Sequence, residues 1–138
     1  EEGLGGGDLW FCDYGLELSR GFRALKVWTA IKSIGTEAFS ASITDNCKQT
    51  YLMAELVEAS DLLELSFPVS SNVCCFYASH GDVNKIVAEL QMSGDAVFST
   101  TFIQGKPCIR AALVNHRTTS DDIRQSIIAV ENAVRRHR

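Results

Sequence analysis

The residue in this chain with the most chemical potential is Arg110. It sits in Cys108-Ile109-Arg110-Ala111-Ala112-Leu113-Val114, a run that reads as a half-buried or buried β-strand. A guanidinium enters an apolar layer only with a partner, because burying an unpaired charge costs several kcal/mol, roughly. That partner is either a carboxylate of the chain itself or a group that arrives from outside. Strand alternation puts Cys108, Arg110, Ala112 and Val114 on one face and Ile109, Ala111 and Leu113 on the other. Small neighbours leave room beside the guanidinium, and its planar fork suits a carboxylate in bidentate geometry.

Other chemistry-bearing residues form no self-sufficient site. His80, His116 and His137 are the only histidines, and none pairs with a nucleophile and a carboxylate in a triad pattern. His116 lies just after the Arg110 strand, close enough in sequence to approach a site there. The lysines are Lys26, Lys32, Lys48, Lys85 and Lys106, and none lies in a segment that would desolvate it for Schiff-base chemistry. Lys26 stands beside Trp28 on an amphipathic helix, a setting for stem packing with the head in water. The five cysteines are odd in number and match no zinc spacing, so no metal site is expected. They read as buried free thiols of a reducing compartment, which makes the expected location cytoplasmic.

The elements that must position these residues follow from periodicity. A helix is expected after Ser19, with Phe22, Leu25, Trp28 and Ile31 on one face and Gly35 as its stop. A second is expected from Thr36 to about Ala59, with a stripe of Phe39, Ile43, Cys47, Tyr51 and Ala54. Strands are expected over Leu62–Phe67 and Val73–Ala78, then a helix over Asp82–Met92 ended by Gly94. Ala96–Ile103 and Pro107–Val114 read as a hairpin joined by Gln104-Gly105-Lys106. A last helix opens on a capping box of Thr119 with Asp122 and ends in Arg135, Arg136 and Arg138, which suit its negative end.

The order is α-α-β-β-α-β-β-α. The expected fold is α/β of the α+β kind: a mostly antiparallel sheet of about four strands, helices on one face, and two helices in front. The expected division is an irregular Gly-rich lead-in over 1–17, two linker helices over 18–59 and a small α/β domain over 60–138. The opening carries no signal-peptide pattern, and its irregularity suggests the end of something longer. With 138 residues, 46% hydrophobic and 22% charged, and a net charge of −4, the composition is that of one globular domain. Its basic residues are scattered, which argues against nucleic acid, and no apolar run reaches membrane length.

Leu18-Ser19-Arg20-Gly21-Phe22-Arg23-Ala24-Leu25-Lys26-Val27-Trp28 resembles the LSRxFRxLKxW segment of group II pyridoxal-phosphate-dependent amino-acid decarboxylases. Ile109 to Thr119 with Asp122-Ile123 is similar to that family's C-terminal strand and final helix, and Asn72-Val73-Cys74-Cys75-Phe76 to the strand between. The resemblance covers nearly the whole chain in order. It implies the small C-terminal domain of a fold-type I enzyme with pyridoxal 5'-phosphate held by a preceding large domain, whose lysine, aspartate and histidine have no counterpart here. It implies α-decarboxylation of an amino-acid substrate, in which the cofactor ring accepts the electrons released as carbon dioxide leaves.

In the glutamate decarboxylase branch, the arginine of the matching strand binds the substrate carboxylate, and Arg110 occupies that position. Arg20, with Ser19, matches a widely shared segment expected near the active site or the dimer interface, and His116 belongs to the same set of candidates. Gly21 departs from the animal aromatic decarboxylases, which carry arginine there, so the resemblance does not imply an aromatic substrate. The expected partners are the amino-acid substrate and a second copy of the intact enzyme. No catalytic residue is expected in this chain. The alternative reading is a non-catalytic ligand-binding or dimerisation module built on the antiparallel sheet.

Overall fold

The structure is a computed structural model that describes residues 14–16, 19 and 21–138. The expected lead-in over 1–17 lies almost entirely outside the described residues, as do Arg20 and Cys12. The chain forms two compact units, 1–36 and 37–138.

The first helix, α1 (Arg23–Glu58), is interrupted at Gly35, whose φ of 80° and ψ of 161° lie outside the helical region. A residue with a Cβ would be strained at that φ, which is why glycine marks the break expected there. The helix begins at Arg23 rather than just after Ser19. Gly21 intervenes with a tight turn in which the Arg23 amide donates to the Gly21 carbonyl.

In the unit 37–138, the later part of α1 is followed by β1 (Leu63–Leu65), β2 (Val73–Ala78), α2 (Val83–Ser93), β3 (Ser99–Ile103), β4 (Lys106–Ala112) and α3 (Ser120–Arg136). The strands form one antiparallel sheet in the order β1-β2-β4-β3. The expected four-stranded antiparallel sheet is therefore present. β2 spans its whole apolar run, whereas β1 and β3 are shorter than theirs. Ala96–Phe98, for example, approaches β3 as a loop, and the Gln91 side chain donates to the Phe98 carbonyl.

One face of the sheet makes the core. Cys74 and Phe76 of β2, Ile109 and Ala111 of β4, and Leu63 of β1 meet Val83, Ile86, Val87 and Leu90 of α2 and Ile123, Ile127, Val130 and Val134 of α3. The α2 set recurs at i, i+3, i+4 and i+7, the spacing of one helical face. Phe76 is fully buried and meets Phe98 edge to face, with ring centroids 6.1 Å apart.

The stripe expected for the second helix is corrected here. Ile43 and Tyr51 are exposed, and the buried face is Asn46, Gln49, Thr50, Met53, Ala54 and Val57. Three of these are polar, so a count of apolar residues misplaces the face. Two of them have partners: Thr50 Oγ1 donates to the Asn46 carbonyl, and Gln49 Nε2 donates to Asp45 and to the Thr118 carbonyl, while Gln49 Oε1 is buried without a partner among the described residues.

The ends of α2 and α3 match their sequence signals. Asp82 caps α2 by accepting from the Asn84 amide, and Gly94 closes it at φ 80°. Thr119 and Asp122 form the expected reciprocal box on α3. The C-terminus of α3 is tied to α2 through Glu89, which accepts from Arg136 Nε at 2.7 Å and lies 2.7 Å from His137 Nε2.

Two carboxyls are held below the usual carboxylate range, Glu89 first by Arg136 and then His137, Asp122 first by the Thr119 backbone amide. A depressed carboxyl stabilises the fold above its ordinary pKa and loses that contribution as pH falls through its folded value. Urea midpoints should therefore fall on acidification below about pH 4.5, the ordinary value for a glutamate. The Glu89→Gln protein should show a shallower pH dependence in that window; an identical profile would contradict this account.

Candidate functional site

The other face of the sheet carries the polar side chains. The register pairs Arg110 with Cys75 of β2 on one side and with Ser99 of β3 on the other. Alternation then brings Tyr77, Cys108 and Thr101 to the same face.

Arg110 is exposed, contrary to the expectation of a guanidinium within an apolar layer. Its side chain stands on the face of the sheet opposite the helices, a face on which Cys108 of the same strand is nonetheless buried. Among the described residues it forms no ion pair, and its Nη1 donates to Ser99 Oγ at 3.3 Å. Ser99 Oγ in turn donates to the Arg110 carbonyl at 3.3 Å. A guanidinium has five N–H donors, so most of the fork is uncommitted.

Beside it lie two thiols that are buried although they stand outside the helix-packed core. Burial raises the Cys75 thiol, an effect that the nearby Arg110 guanidinium and the Cys108 thiol only partly offset. Burial pushes Cys108 up to about 11, with Cys75 adding to the rise. In the core, Cys74 is pushed up to about 12, again mainly by burial. These groups are neutral thiols at physiological pH and therefore poor nucleophiles. All four described cysteines are free, and Cys47 is the least buried of them. Iodoacetamide at pH 7.5 should accordingly label Cys47 well before Cys74, Cys75 and Cys108, as peptide mapping would show. Early labelling of Cys75 or Cys108 would contradict their burial.

The remaining candidates are not gathered around Arg110. His116 is exposed in the turn after β4, where Asn115 Oδ1 accepts from the Arg117 amide, and its ring makes no hydrogen bond among the described residues. Ser19 is exposed and belongs to the unit 1–36. A cavity of about 250 Å³ lies between the end of β4, the start of α3 and the 95–98 loop, lined by Phe98, Leu113, Ile123 and Asp122 among others. It does not include Arg110.

Ser99 is the neighbour of Arg110 that the sequence pattern alone does not single out. Gln104 and Gly105 both have positive φ, 52° and 76°, and form a two-residue hairpin turn that pairs Ile103 with Lys106. Counting outward from that turn places Ser99 opposite Arg110. A three-residue reading of the connection hides the pair.

The family profile described as "Pyridoxal-dependent decarboxylase conserved domain" matches residues 9–79, about half of the chain. The chain belongs to this family. An aromatic-L-amino-acid decarboxylase of Bacillus atrophaeus is 33% identical to it, over 91% of this chain and 28% of that protein. An L-2,4-diaminobutyrate decarboxylase of Rhizobium meliloti is 27% identical, over 87% of this chain and 26% of that protein. This family member thus spans about a quarter of the length of those relatives.

The tryptophan decarboxylase of Catharanthus roseus, solved with L-tryptophan, shares the fold with a TM-score of 0.72 at 21% identity, over 85% of this chain and 27% of that one. The 4-hydroxyphenylacetaldehyde synthase of Rhodiola rosea does so with a TM-score of 0.79 at 21% identity, over 91% and 29%.

Pyridoxal phosphate is the cofactor of this family. It is attached through a lysine in a desolvated cleft, and all five lysines of this chain are exposed. The described residues therefore do not fit the attachment site. No described helix is long and apolar enough to cross a membrane.

Proposed function

We propose that this family member is the C-terminal small domain of a pyridoxal-phosphate-dependent amino-acid decarboxylase, a carboxy-lyase that acts as a homodimer in the cytoplasm. The lead-in over 1–17 and the helices over 18–59 connect it to the large domain that holds the cofactor. The domain over 60–138 supplies Arg110 to the substrate's carboxylate. Ser19, Arg20 and His116 lie toward the active site or the partner subunit. The chain by itself is not catalytically competent.

The observation that carries this reading is the state of Arg110. Its guanidinium is exposed on the face of the sheet opposite the core, rooted in an inner strand, with most of its donors uncommitted. That is the arrangement needed to orient an anionic group by two parallel N–H···O bonds. Orientation of a bound reactant contributes to rate without any proton transfer by the arginine.

The test is kinetic, in the intact protein that contains this chain. Arg110→Gln should raise KM for the amino acid by about tenfold to a hundredfold with a smaller change in kcat, as expected for lost ground-state binding of a charged group. Arg110→Lys should recover part of the loss, because an ammonium supplies charge without the fork. An unchanged KM in Arg110→Gln would overturn the assignment.

A further inference from the structure

We infer that Ser99 is a positioning residue for Arg110. The inference rests on the reading of Arg110 as the carboxylate ligand and extends it to the residue that sets the ligand's geometry.

The two residues are direct cross-strand partners in the β3–β4 ladder. One hydroxyl makes two contacts with one arginine. Ser99 Oγ donates to the Arg110 carbonyl and accepts from Arg110 Nη1, both at 3.3 Å. Because a hydroxyl has one proton, donation to the carbonyl fixes the direction of that proton and leaves oxygen lone pairs for the guanidinium. The hydroxyl therefore links the arginine's own backbone to its own head group. The head group is tethered at Nη1 while its remaining donors stay available.

The opposite neighbour does not duplicate this tether. Cys75 faces Arg110 from β2, but its thiol is protonated and a weak acceptor. An exposed arginine without such a tether samples many rotamers, and binding must then order it. Ser99 removes part of that ordering in advance. The role requires a hydroxyl on a strand residue at position 99, which threonine also supplies.

The experiment compares Ser99→Ala, Ser99→Thr, Arg110→Gln and the double variant Ser99→Ala/Arg110→Gln in the intact protein, each checked for an unchanged melting temperature. Ser99→Ala is expected to raise KM about threefold to tenfold with little change in kcat. Ser99→Thr is expected to restore it. The double variant is expected to match Arg110→Gln alone, since Ser99 acts only through the arginine.

Three results overturn the proposal. If Arg110→Gln raises KM and Ser99→Ala does not, the arginine binds carboxylate without help from Ser99. If Ser99→Ala raises KM equally in both backgrounds, the serine acts elsewhere. If Arg110→Gln has no effect, the carboxylate reading itself is wrong and the proposal falls with it.

Discussion

Replacing Phe76 by alanine is expected to lower the stability of the domain by about 3–5 kcal/mol. Phe76 is fully buried in β2, between β1 and β4, and its ring meets Phe98 edge to face. Truncation removes the transfer energy of the ring and leaves a void. The neighbours Ile109, Leu63 and Ile86 belong to three separate elements and cannot all move in to fill it. The aromatic pair with Phe98 is lost as well, a contribution of about 0.5–1.5 kcal/mol. Since domains of this size are stable by only about 5–15 kcal/mol, the variant should unfold at much lower urea or fail to accumulate. Phe76→Leu keeps most of the volume and should lie between the two. A Phe76→Ala midpoint within experimental error of the parent would contradict the placement of this ring in the core.

The second large effect is expected at Gly81. Its φ is +85°, and a Cβ built there would lie 2.9 Å from His137 Cβ and 3.1 Å from Ile86 Cδ1. The left-handed backbone alone costs a side-chain-bearing residue about 1–2 kcal/mol. The contact with His137 adds to this, because the end of α3 is held in place by Glu89 through Arg136 and His137. Gly81→Ala should therefore destabilise by about 2–4 kcal/mol in total, read from urea denaturation. Truncating the C-terminus before His137 should soften the penalty by removing the clashing atoms. If Gly81→Ala costs the same in full-length and truncated proteins, the His137 contact contributes nothing, and backbone strain with the Ile86 contact accounts for the effect.

Much of the fold is legible in the sequence because local signals agree with tertiary packing. Gly35, Gly94 and the Thr119/Asp122 box each satisfy or terminate a helix by their own backbone or side-chain chemistry. The buried face of the second helix departs from its apolar stripe for the opposite reason. Asn46, Gln49 and Thr50 are polar yet buried, and the partners of Gln49 and Thr50, the distant Thr118 carbonyl and the preceding helical turn, are not visible in an apolar pattern. The strand face of Arg110 follows from alternation, yet its exposure does not. Whether the uncharged residues around it are enclosed depends on which side of the sheet the helices cover, and alternation does not choose a side. Ser99 was recoverable by counting from Gln104-Gly105, but only once the turn is known to contain two residues.

The strand order has a consequence for how Arg110 meets an anion. β4 lies between β2 and β3, so the backbone at residue 110 is laddered on both sides, unlike that of the outermost strands β1 and β3. Amide hydrogens at such a site open only with a large part of the domain. The arginine therefore has a stationary base and a solvated tip. Recognition at that tip needs a choice among rotamers rather than a rearrangement of main chain, so the encounter should be fast and insensitive to loop motion. A site built on either outer strand would lack that preorganisation.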